Sequence, residues 1–146
     1  MLLAVALLAA PVTLVDGLRN QANLSPAEVS ALDGTICVEV EKAFKASGLE
    51  VKCKADQLAI LELHRLRGRS GMACEGDLND CAQRTAKMLA CTHTVVAVVT
   101  PAKLDLHLVD ERGQSLVAAT IKGRDFSAWR AGLPGAAAKL SAKLKP

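Results

Sequence analysis

The chain has 146 residues, 51% hydrophobic and 23% charged, which supplies apolar side chains for one buried core and argues against disorder. Aromatic residues make up 2% (Phe44, Phe126 and Trp129, no tyrosine); that excludes single-strand nucleic-acid binding, where bases stack on flat rings, and with it a sugar site or an aromatic cage. A net charge of +3 is too weak to call for a polyanion, so no nucleic-acid partner is expected.

Residues 1–10 (MLLAVALLAA) are uncharged, apolar and too short to cross a bilayer as a helix. They fit the hydrophobic part of a secretory signal, without the Lys/Arg-bearing stretch that precedes it, and read as a signal-peptide remnant. The competing reading is a buried first strand running from Leu2 toward Val15. Residues 11–146 then form a single domain, expected to be exported to the periplasm or envelope, with the cytoplasm as the alternative. Five cysteines, an odd count, suggest disulfides with one thiol left over. None of their spacings is Cys-x-x-Cys, so zinc-ribbon and thioredoxin-like sites are not expected. Cys74, in a glycine-containing loop, and Cys81, on the inner face of the next helix, are the expected bridge, since a loop folded under a helix start brings two Cα atoms within ~6 Å. Cys37, Cys81 and Cys91 also fit as small buried hydrophobes, and the states of Cys37, Cys53 and Cys91 stay open.

In chain order, Val12–Val15 is β-prone and Asp16-Gly17 is expected to close it. Ser25-Pro26-Ala27-Glu28 opens a helix with a capping box, Pro at its first position. Val29, Leu32, Ile36, Val40 and Phe44 follow at helical spacing, and Ser47-Gly48 stops it. Leu49–Lys54 alternates as a half-exposed strand, and Lys52 and Lys54 are the residues with which a sheet edge is guarded. Asp56 is expected to cap a second helix with Leu58, Leu61, Leu63 and Leu66 inward, ending in a basic loop, Arg65 to Gly71. Asp77 caps a third with the stripe Leu78, Cys81, Ala82, Thr85 and Leu89. Thr94–Thr100 is apolar at successive positions and reads as the central strand, buried on both faces. Leu104, Leu106 and Leu108 mark the next strand, Asp110–Gly113 a hairpin turn and Leu116–Ile121 the return. A tail helix starts at Leu133 or Gly135 and ends at Leu144. The order β-α-β-α-α-β-β-β-α predicts an α/β (α+β) domain with a mixed sheet of about five strands, helices packed on it.

Three local signatures resemble the exported α/β domain at the amino terminus of TolB and its CsgG–FlgO-like relatives in bacterial envelope proteins. They are the front strand with its capped helix, the segment Cys74-Glu75-Gly76-Asp77-Leu78-Asn79-Asp80-Cys81-Ala82, and the valine strand from His93 followed by Leu104-Asp105-Leu106-His107-Leu108-Val109-Asp110 and the turn through Gly113. The resemblance covers most of Pro11–Gly123; no TolB propeller follows, and Cys91-Thr92-His93 stands where the family often has Gly-Ala-Asp. It implies a non-catalytic envelope interaction module whose partner is another envelope protein.

The residues themselves hold no catalytic constellation. His64, His93 and His107 sit in different elements without helical metal-ligand spacing, so no metal and no cofactor are expected. Cys91 beside His93 is the one local nucleophile–base candidate, but a helix C-terminus disfavours a thiolate. No phosphate-binding loop or Gly-x-Ser-x-Gly is present. Two docking elements remain: the strand edge with Lys52 and Lys54, which a partner strand could extend, and the basic loop with Arg65, Arg67 and Arg69, which would serve the rival function of binding a small molecule or anion.

Overall fold

The computed structural model describes residues 11–66 and 78–145, with the side chains of all of these except 55, 61, 64–66 and 78–81. A five-stranded sheet in the order β2-β1-β3-β4-β5 organises the domain. Its strands are β1 (Val12–Asn20), β2 (Glu50–Cys53), β3 (His93–Thr100), β4 (Lys103–Val109) and β5 (Ser115–Lys122). β2, β1 and β3 run parallel, and β4 and β5 are antiparallel to their neighbours. The helices are α1 (Pro26–Ala46), α2 (Leu58–Leu66), α3 (Leu78–Met88) and α4 (Phe126–Leu144), with a 3-10 turn over Lys54–Gln57. The expected α/β class, element order and central β3 are all present.

The chain steps from β1 outward to β2 and then back across β1 to β3. Right-handed crossovers in opposite directions put their helices on opposite faces. Accordingly Val15 packs with α1 residues Leu32 and Ile36, and Leu14, on the other face, packs with Ala86 and Leu89 at the end of α3. α1 starts as its sequence dictates: Ser25 Oγ accepts from the Glu28 backbone N–H at 3.2 Å and Glu28 returns a bond to Ser25 at 3.1 Å. Its buried stripe is Leu32, Ile36, Val40 and Phe44. It ends with Gly48 at φ 74° and Leu49 N–H donating to the Phe44 carbonyl, the left-handed exit that glycine permits.

Four expectations are corrected. β1 does not close at Asp16-Gly17: those residues are a bulge, shifting the register on β3 between Val15 and Leu18 before pairing resumes to Asn20. Asp56 lies inside the 3-10 turn, two residues ahead of α2, and does not stand at the cap position. Leu58 and Leu63 are not inward; they are 54% and 52% exposed, with Ile60 at 45%. Finally, α4 begins at Phe126, capped by Asp125, whose side chain accepts from Ala128 N–H at 2.8 Å. Pro134 sits inside this helix; its side chain faces solvent, where the carbonyl it leaves without an N–H partner can bond water. Helix and sheet meet at Gly132, where a Cβ would lie 2.5 Å from Ile121 Cγ2. The close approach therefore requires glycine in the middle of α4.

Candidate functional site: the β2 edge and its groove

β2 is the short edge of the sheet, pairing with β1 over Val12–Val15 and with no other strand among the described residues. Its two lysines are both engaged. Lys52 Nζ donates to the Leu89 carbonyl at 3.1 Å, tying the strand to the end of α3. Lys54 Nζ lies 3.0 Å from Asp16 Oδ1, in a pair whose side chains are 38% and 6% exposed. The β1 bulge presents Asp16 to this lysine. It also leaves the Leu18 backbone N–H to bond Asp33 on α1. Burial and the Asp16 charge push the Asp33 carboxyl above the ordinary carboxylate range, against the opposing pull of Lys54 and the Leu18 bond.

A disulfide joins Cys37 of α1 to Cys53 at the end of β2, Cα atoms 5.9 Å apart. Neither residue was marked for pairing by its sequence surroundings: Cys37 fitted as a buried hydrophobe, yet it is half-buried and bonded. The usable signal lay in two patterns taken together, Cys37 one residue past buried Ile36 on α1 and Cys53 on the alternating strand that packs against it. The bridge stands against a groove of about 370 Å³ lined by Val15, Asp33, Val38, Glu41 and Asp56. Cys37 Sγ, Cys53 Sγ and an Asp56 carboxylate oxygen lie within 4.8 Å of one another. Val38 of α1 is 50% exposed, as are Leu58, Ile60 and Leu63 of α2 to similar extents. Of these, Val38 lines the groove, and the α2 residues follow β2 along the chain.

The expected Cys74–Cys81 bridge and the Arg65, Arg67 and Arg69 side chains lie outside the described residues. His64 does so as well. Cys91 and His93 stand at the entry to β3, beside the start of β1. Cys91 is a buried free thiol whose Sγ lies 3.7 Å from the Leu89 carbonyl. Burial is the main cause pushing it above the usual thiol range, helped by Glu50 and opposed by Lys52. The thiolate is disfavoured. His93 Nδ1 is 2.8 Å from Thr92 Oγ1. Burial holds its ring below the usual histidine range, opposed by Asp110 and Glu111. A cavity of about 220 Å³ beside Cys91, lined by Lys87, Thr92, Thr94 and Asp110 among others, is smaller than the ~300–1,000 Å³ of ordinary ligand pockets.

No family model and no curated protein matches the sequence. Solved structures do. A PelC dodecamer from Paraburkholderia phytofirmans aligns at TM-score 0.50 and 12% identity, over 94% of this chain and 90% of that one. The LpoB C-terminal domain from Escherichia coli aligns at TM-score 0.53 and 14% identity, over 80% of this chain and 84% of that one. The same domain from Salmonella enterica gives 0.53 and 15%, with equal coverage. At these identities the likeness is one of fold: the chain shares the α/β architecture of PelC and of the LpoB C-terminal domain.

Proposed function

We propose that the domain is an exported, non-catalytic interaction module that captures another envelope protein along the β2 edge. The observation that carries this reading is the composition of that edge. β2 is a four-residue strand with no outer neighbour among the described residues; exposed Val38 lines the groove at Cys53, and the chain leaves β2 for α2, where Leu58 and Ile60 are exposed. Surface apolar residues gathered at a strand edge are what β-augmentation uses: main-chain bonds supply affinity and flanking side chains supply selectivity. The Cys37–Cys53 bridge supports export, since such bonds persist in oxidising compartments. Resemblance in fold to PelC and LpoB supports an envelope setting. The raised Cys91 thiol supports a non-catalytic reading.

Charge reversal at Lys52 and Lys54 is not a clean probe of this edge, because both lysines hold the strand in place. The better test replaces Val38, Leu58 and Ile60 with serine, singly and together, and measures retention of a stoichiometric partner from envelope fractions. Expected is a stepwise loss with an unchanged circular dichroism spectrum. Full retention by the triple variant, with loss on replacing Arg65, Arg67 and Arg69, would move the site to the basic loop and overturn the edge proposal.

A further inference from the structure

The groove beside β2 contains an arrangement that protein docking does not explain. Two cysteine sulfurs and the Asp56 carboxylate converge within 4.8 Å. A carboxylate gains nothing from a neutral disulfide, whose lone pairs repel it. The nearby ammonium is already committed: Lys54 lies 3.0 Å from Asp16. Asp33 and Glu41 line the same groove, so the local surroundings are electron-rich and favour a cation. Asp56 is exposed, Cys37 half-buried and Cys53 buried at 4% exposure, so a cation would reach the cluster from the Asp56 and Cys37 side of the groove.

We propose that, once the disulfide is reduced, Cys37, Cys53 and Asp56 form a binding site for a thiophilic divalent cation of the zinc class, so that disulfide and metal are alternative occupants of one place. The ligand set fits: two thiolates and one carboxylate are the donors such an ion takes, at about 2.3 Å for sulfur and about 2.0–2.2 Å for oxygen. Two such sulfur bonds at a tetrahedral angle place the sulfurs ~3.8 Å apart. Rotation about the Cα–Cβ bonds opens the pair to that separation from Cα atoms 5.9 Å apart. The fourth position falls to water, which makes the site exchangeable. The chemistry balances. A dithiol reductant gives two electrons and two protons to the S–S bond and becomes a disulfide itself. The cation then enters as the two thiols release their protons to solvent. Reoxidation by a disulfide donor reverses both steps and expels the ion. Export from a reducing to an oxidising compartment would therefore exchange metal for the covalent bridge.

The test uses the full chain, Co2+ as the probe ion and a phosphine reductant. Expected for the reduced protein is one equivalent of Co2+ with a sulfur-to-metal charge-transfer band and the visible bands of tetrahedral coordination, bleached by Zn2+ and absent from the oxidised protein. Asp56→Asn, an exposed substitution that leaves the fold intact, should weaken Co2+ binding about tenfold or more, at least what losing an outer partner costs. A Cys74→Ser, Cys81→Ser, Cys91→Ser triple variant should keep the bands. No charge-transfer band in the reduced wild type, equal affinity in Asp56→Asn, or loss of the bands in the triple variant would each overturn the proposal.

Discussion

The two faces of the sheet are built to different depths. On one, α1 and α4 lie side by side over the whole sheet, and a single continuous core runs from Val15 and Phe44 through Leu104, Leu106 and Leu108 to Trp129 and Leu140. On the other, among the described residues, α3 covers the region of β1 and β3, and the buried residues form two small groups, Leu14 with Ala86, Leu89 and Cys91, and Ala82 with Val96 and Val109. Beyond α3 the strands present polar side chains to solvent, with Thr120 Oγ1 donating to Asp105 at 2.6 Å and Lys103 pairing with the same carboxylate at 3.2 Å. Stability is concentrated on one face. At the β2 edge, Leu49, Val51 and Cys53 join the thick core, and a disulfide to α1 and two lysine contacts add to that hold.

Truncation separates the faces most sharply. Phe44→Ala, at 0% exposure in the thick core, should cost about 3–5 kcal/mol in denaturant unfolding. Leu89→Ala, in the thin cluster at 4% exposure, should fall at the low end of the ~2–5 kcal/mol range for leucine, because the site can collapse toward solvent. Equal losses would erase the distinction. Next comes the staple. Cys37→Ser with Cys53→Ser opens a loop of 16 residues' separation, which the chain-entropy relation values at about 3 kcal/mol. Amides of β2 should then exchange faster while those of Val95–Val99 stay slowest; uniform acceleration would show that the bridge supports the whole sheet rather than its edge.

Lys54→Met leaves Asp16 buried without its partner. The expected cost is about 1–2 kcal/mol, below the ~3–5 kcal/mol of a fully buried pair because Lys54 is 38% exposed. The smallest effect is a pH dependence. His93 is held neutral by burial, so the unfolded chain takes up its proton first. Its contribution is present above the unfolded pKa of about 6.5 and is lost as pH falls from there toward the lower folded value. Replacing His93 with Gln should flatten that part of the stability profile, measured as unfolding midpoint against pH; an unaltered slope would assign the dependence elsewhere.

Much of this was readable in the sequence because local and global signals agree. The Ser25–Glu28 box, the Leu32–Phe44 stripe and the unbroken valines of β3 each have one physical solution, and the fold contains it. Where it was not readable, tertiary structure outweighed a local signal. Asp16-Gly17 is turn chemistry, yet β1 has a paired neighbour on each side and absorbs the two residues as a bulge. Pro134-Gly135 is helix-start chemistry, yet Asp125 caps an earlier start and Trp129 Nε1 anchors the first turn on the Gly123 carbonyl at 3.0 Å. The α2 leucines follow helical spacing, but spacing does not say which surface stands opposite, and among the described residues no strand or other long helix covers Leu58, Ile60 and Leu63. The helix and strand patterns place Cys37 and Cys53 on elements that pack together, but their pairing depends on the register of α1 over β2, which no short motif encodes.

Site-specific photocrosslinking tests the docking account most directly. A photoreactive residue at Val38 or at Leu58, on the β2 side, is compared with one at Ala118 or Thr120, exposed on β5 at the opposite edge. In intact cells the β2-side positions should give one discrete adduct of constant mass, and the β5 positions none. Adducts from the β5 positions alone would contradict the assignment of the partner to the β2 edge.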